Sequence, residues 1–203
     1  MGITLSCEAV PGHPDFRRLD GIAGIAVDLR YATPDNFVGR DLYTPLDCNW
    51  LHKDAAAALE RAVAWLAAHQ PSYKLVVLDA LRPQRVQEQL WEALQGTELL
   101  GYIADPARGS IHSFGMALDV TLLDADGREL DMGTGFDDLS ERSHPALEGE
   151  LLARGELGEQ HIANRRWLRD AMFHAGWRGI NSEWWHFDCG DRLLVRRDYA
   201  RVL

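Results

Sequence analysis

Residues 53–70, KDAAAALERAVAWLAAHQ, repeat apolar side chains at three- and four-residue spacing and stop before Pro71, which predicts a helix. A second helix is expected over 83–94, PQRVQEQLWEAL, where Pro83 suits a first helical turn. Residues 147–175 carry the same period, with breaks expected near Gly155 and Gly158. Strand patterns occupy 21–33, 73–81 and 116–124. Asp126-Gly127 signals a hairpin turn, with 128–132 as the returning strand. The aromatic run at 183–189 also reads as a strand, and a short element is expected at the C-terminus. Residues 34–51, 96–109 and 133–145 read as loops. Without regular βαβ alternation, the pattern predicts an α+β fold, a central antiparallel sheet flanked by helices.

Composition narrows the function classes. The chain has 203 residues, 46% of them hydrophobic, so one domain spanning 1–203 is expected, with a core that needs no metal or disulfide as scaffold. A metal here would be expected to serve catalysis. The formal net charge is −10, and the densest basic patches are the pairs Arg165-Arg166 and Arg196-Arg197, so no nucleic-acid partner is expected. Three scattered cysteines form neither a disulfide framework nor a CxxC zinc pattern. The opening residues lack a basic start followed by an apolar segment, and no run approaches the ~20 apolar residues of a membrane span. A soluble, cytoplasmic protein without a membrane partner is the expectation. The seven tryptophans do not separate core aromatics from interface ones, so a homo-oligomer stays open.

The stretch 109–120, GSIHSFGMALDV, raises the chemistry. An imidazole, a glycine and a carboxylate interrupt a run that otherwise heads into the core. Residues seven apart on a regular strand point to opposite faces, so His112 and Asp119 converge only if the chain bends between them. Gly115 is where a bend or bulge is tolerated. His112, Asp119 and His186 together would offer two imidazoles and a carboxylate, a set that suits catalytic zinc or non-haem iron. The other reading is ordinary: a buried aspartate as a hydrogen-bond partner and unconnected histidines.

Two more segments add to this. Glu183 stands three residues before His186, where it could take a proton from a water at such a metal, although ExxH alone is common. Cys189 offers an alternative HxxC ligand pair with His186. Trp184, Trp185 and Phe187 read equally well as core packing. Arg82 follows a buried strand and precedes Pro83, so its guanidinium could stabilise an oxyanion or simply pair with Asp79 or Glu88.

In combination, the segments at 31–39, 79–87, 110–122, 131–144 and 182–187 resemble the VanX-type D-alanyl-D-alanine dipeptidases, zinc enzymes of the hedgehog/DD-peptidase fold. The SxHxxGxAxD pattern, the downstream ExWH and the upstream RP segment occur in order. The resemblance implies one zinc per chain on His112, Asp119 and His186, Glu183 as catalytic base and Arg82 as transition-state stabiliser. It implies that Tyr31 and Asp137 hold the free amino group of a small dipeptide substrate and that Ser110 lies beside it. Leu81 stands where the family often has tyrosine, a packing change near the site. Two alternatives share the motif: a zinc D,D-carboxypeptidase or L,D-peptidase acting on peptidoglycan stems, and a zinc-binding protein without catalysis.

Overall fold

The computed structural model describes residues 2–203. In chain order its strands are β1 (Thr4–Leu5), β2 (Phe16–Arg18), β3 (Ile25–Val27), β4 (Trp50–His52), β5 (Lys74–Asp79), β6 (Ala117–Leu123), β7 (Trp177–Gly179), β8 (His186–Cys189) and β9 (Arg201–Val202). Its helices are α1 (Lys53–His69), α2 (Gln84–Leu94), α3 (Glu148–Ala153), α4 (Glu159–His174) and α5 (Arg192–Asp198). Five strands form the central sheet in the order β3-β5-β6-β8-β7. All its pairings are antiparallel except the first, β3 with β5. Two small ribbons, β1-β9 and β2-β4, stand beside it.

The helical period explains what covers the sheet. On α1 the repeated apolar positions Ala55, Leu59, Ala62 and Leu66 are buried, and Leu168, Ala171 and Met172 do the same on α4. They share one core with Leu75, Val77, Leu118, Val120, Leu122 and Phe187 of the central strands. The helical stretch 147–175 divides into α3 and α4 across Gly155 and Gly158, as its pattern predicts. Among the described residues no helix is long and apolar enough to cross a membrane.

Alternation along the strands leaves a second, polar face. Asp119 sits between the core-facing Leu118 and Val120, and His186 and Asp188 flank Phe187. In register, Asp119 lies opposite His186 and Ala117 opposite Asp188, so period two alone delivers these side chains to the same side. Asp79 would fall on the helix side with Val77 if β5 were regular. Instead the register shifts: Val77 pairs with Val120 and Asp79 with the adjacent Asp119, leaving Leu78 as the extra residue. This bulge re-aims Asp79 toward Asp119.

Three sequence expectations change in detail. The strand expected over 21–33 shortens to β3, followed by a 3-10 turn at Arg30–Ala32. The strand of the aromatic run begins only at His186. The hairpin turn at Asp126-Gly127 forms, with the Leu130 N–H donating to the Leu122 carbonyl at 2.8 Å. Yet residues 128–132 make only one bridge, Leu123 with Glu129, and no strand. Farther along that edge the Val120 N–H donates to the Trp185 carbonyl at 3.0 Å, so the chain entering β8, not residues 128–132, lies beside that part of β6.

Candidate active site

His112 reaches the site from a 3-10 turn, Ile111–Phe114, and not from the strand. Gly115 ends that turn in the left-handed region at φ 63°, and the chain then enters β6. A Cβ at Gly115 would stand 2.8 Å from the His52 backbone nitrogen and 3.0 Å from the Phe16 ring, so both the backbone angle and the close packing require glycine. The bend places His112 beside Asp119 despite their odd spacing.

Three donor atoms then converge. His112 Nε2 lies 3.2 Å from His186 Nδ1 and 3.4 Å from Asp119 Oδ1. His186 Nδ1 lies 3.0 Å from the same Oδ1. Tetrahedral zinc with bonds of about 2.0–2.1 Å would need donors about 3.3 Å apart. Among the described residues this trio is the one group of His, Cys, Asp and Glu whose donor atoms gather as a metal site would require.

The outward atoms of both rings are fixed, which decides what the inward atoms offer. His112 Nδ1 lies 2.8 Å from the Ala80 carbonyl, which can only accept, so Nδ1 carries the proton and Nε2 presents a lone pair. His186 Nε2 donates to Asp188 Oδ1 at 3.0 Å, and Asp188 is held in turn by Arg192 Nε at 2.5 Å. Carboxylate or carbonyl support of each imidazole is the usual outer shell of a histidine metal site. Burial alone would raise Asp119, but the His112 and His186 rings outweigh it and hold the carboxyl well below the usual range. Burial would lower His186, yet Asp188 and Asp119 raise it well above an ordinary imidazole. The carboxylates that favour a charged imidazole here would equally favour a bound cation. The donor set fits a divalent metal.

Behind the trio lies a buried ionic frame. Arg82 donates through Nε to Asp79 Oδ2 at 2.8 Å and through one terminal nitrogen to Asp119 Oδ2 at 3.2 Å. Its other terminal nitrogen donates to Gln87 Oε1 at 3.2 Å, and the guanidinium lies 4.9 Å from the centre of the Tyr31 ring. The Tyr43 hydroxyl donates to Asp79. Pairing with Asp79, one of the two readings of Arg82, is therefore real, but Arg82 is buried and lines the cavity as well. Two carboxylates in adjacent register would repel in this low-dielectric setting without the guanidinium that bridges them.

All eight sequence candidates line one cavity of about 260 Å³: Tyr31, Arg82, Ser110, His112, Asp119, Asp137, Glu183 and His186. That is below the roughly 300–1,000 Å³ of pockets for drug-sized ligands, so a small substrate suits it. Glu183 precedes β8 on the loop from β7, and burial pushes its carboxyl up to about 7. Asp137 accepts from the Tyr31 hydroxyl at 3.0 Å and the Phe37 N–H at 3.4 Å, and burial pushes it up to about 8. Asp137 is also the one non-glycine with positive φ, 61°, among the described residues, a local cost of the kind found at binding sites. Cys189 is not part of the metal group; it packs against the core, where burial pushes its thiol up to about 11. Trp184, Trp185 and Phe187 are buried, as their packing reading had it, though Trp185 also lines the cavity.

Sequence reasoning missed Asp188 and the frame role of Asp79. The first was legible in principle, since HFD on a strand puts positions 186 and 188 on one face. The second depended on the β5 bulge, which leaves no trace in the run LVVLD.

Comparison with known proteins agrees with this geometry. The peptidase M15 family model, described as D-ala-D-ala dipeptidase, matches residues 15–202. The D-alanyl-D-alanine dipeptidase of Escherichia coli (strain K12) is 40% identical, with 81% of this chain and 78% of that protein covered. Proteins of the same name from Enterococcus faecium and Enterococcus faecalis (strain ATCC 700802 / V583) are 34% and 31% identical. The first alignment covers 85% of this chain and 90% of its counterpart, the second 81% and 85%. The chain belongs to the peptidase M15 family, among the D-Ala-D-Ala dipeptidases.

Proposed function

We propose that residues 1–203 act as one zinc dipeptidase domain that hydrolyses D-Ala-D-Ala to two molecules of D-alanine. The observation that carries the reading is the shared cavity, in which three converging donors stand together with Glu183, the buried Arg82 and the Asp137–Tyr31 pair. One zinc per chain would be held by His112 Nε2, Asp119 Oδ1 and His186 Nδ1. Bound there, zinc supplies Lewis acidity, polarising the scissile carbonyl and making water easier to deprotonate.

The chain's own groups carry the remaining work. Glu183 takes a proton from the attacking water and returns it to the departing amine, a cycle helped by a carboxyl that titrates near neutrality. Arg82, fixed by Asp79 and Gln87, meets the negative charge that develops on the carbonyl oxygen. Asp137 and Tyr31 receive the substrate ammonium, and Ser110 flanks the bound dipeptide. A buried carboxylate is costly without a counter-charge, so substrates lacking a free amine are disfavoured. Three free cysteines suit a reducing, cytoplasmic setting.

Metal analysis of the wild type and His112→Ala tests this reading. One zinc per chain is expected in the wild type, with zinc and dipeptide hydrolysis lost together in the variant. Hydrolysis that survives the substitution overturns the ligand assignment.

A further inference from the structure

The cavity is lined by both acidic and basic side chains. Asp137 is held beside it by the Tyr31 hydroxyl and the Phe37 N–H. α5 and the turn before Ser110 bring Arg108, Arg192 and Arg196 to the same cavity. This cluster is unexpected in a chain of net charge −10. Its arginines are also unequally matched. Arg192 is paired with Asp188, and Arg197, the neighbour of Arg196 in sequence, is paired with Asp198. Among the described residues neither Arg108 nor Arg196 has a carboxylate within ion-pair distance.

The local structure holds Arg196 in place without neutralising it. Its Nε donates to the Gly109 carbonyl at 3.0 Å and one terminal nitrogen to the Arg192 carbonyl at 3.4 Å. Both acceptors are neutral. The Arg201 guanidinium presses on the same glycine, whose Cβ would meet it at 3.0 Å, and adds a further positive charge behind the turn. Burial lowers the Arg196 guanidinium, and Arg108, Arg192 and Arg201 lower it further against a smaller opposing pull from Asp188. Like charges gathered at a cavity are an unfavourable arrangement that an anion would relieve, and a guanidinium fork matches a carboxylate in shape.

We propose that Arg108 and Arg196 form the subsite for the substrate's C-terminal carboxylate, in the same cavity as Asp137 and Tyr31. The inference rests on the dipeptidase reading and deepens it. Each charged end of a zwitterionic dipeptide then meets a counter-charge within one small cavity. A dipeptide amide would offer a neutral group, not a charge, to the two arginines.

The test is kcat/KM for D-Ala-D-Ala and for its C-terminal amide, in the zinc-loaded wild type, Arg108→Ala, Arg196→Ala, the double variant and Arg196→Lys. The wild type should prefer the free carboxylate by roughly 30-fold or more, the range of a hydrogen bond to a charged group. In the double variant that preference should fall about tenfold or more, mainly through KM, while Arg196→Lys retains part of it. A merely structural role would lower both substrates together. Equal losses on both, or an unchanged preference, overturn the carboxylate subsite while leaving the dipeptidase reading intact. If the wild type does not cleave the dipeptide, both fall.

Discussion

His112 Nε2 and His186 Nδ1 stand 3.2 Å apart, and each ring has its far nitrogen committed to an acceptor, the Ala80 carbonyl and the Asp188 carboxylate. Two imidazoles held this way have no use for each other as hydrogen-bond partners. Their lone pairs face a common point together with Asp119 Oδ1. The arrangement makes sense around a cation, and the same Asp188 and Asp119 carboxylates that raise His186 would favour one.

Asp188 is the support that orients His186, so Asp188→Asn should weaken zinc binding about 10- to 100-fold, the usual cost of losing such a partner. Competition with a chromophoric chelator measures it. Because the wild-type ring must shed its extra proton, zinc uptake should release protons and tighten as pH rises. In metal-free protein the raised His186 contributes stability that is fully present below about pH 6.5 and fades as pH rises through its folded value.

Glu183→Gln should lower kcat by about 10²- to 10⁴-fold while zinc stoichiometry stays unchanged. The base must be ionised, so wild-type kcat/KM should rise with pH through an apparent value at or below the metal-free 7, since a bound cation favours the carboxylate. Stability gives an independent reading. The unfolded carboxyl ionises near about 4.3, so raising pH from there toward 7 destabilises the metal-free fold. Metal-free Glu183→Gln should therefore melt higher than the wild type at pH 8; an equal or lower melting temperature would contradict a buried, charge-averse Glu183.

Asp137→Asn should act on substrate binding more than on chemistry. A rise in KM of about 10- to 100-fold with a smaller change in kcat is expected, because a charged hydrogen bond to the ammonium becomes a neutral one. Wild-type KM should fall as pH rises toward about 8, where Asp137 ionises without help from the substrate. Discrimination against an N-acetylated dipeptide should shrink in the same variant. Kinetics on the free and acetylated substrates check all three outcomes.

Much of this was readable from the chain, for identifiable reasons. The periods of α1, α2 and α4 are long and regular enough to declare themselves, and Gly155 and Gly158 break the pattern where the helix breaks. The conflict between His112 and Asp119 on an ideal strand pointed to Gly115, and the left-handed bend there resolves it. What stayed hidden depends on tertiary pairing. A one-residue bulge turns Asp79 toward Arg82, and the chain entering β8 holds the edge of β6 at Val120, where a returning strand would otherwise lie. The basic pair Arg196-Arg197 was legible only as a weak patch. That one member pairs with Asp198 and the other faces the cavity depends on how α5 docks.

The most direct measurement is alanine release by metal-stripped and zinc-reconstituted protein from D-Ala-D-Ala and from L-Ala-L-Ala, with bound zinc quantified on the same samples. Release from the D,D isomer should rise with loading to about one zinc per chain, with little from the L,L isomer and little from stripped protein. No release from D-Ala-D-Ala at any zinc loading would contradict the account.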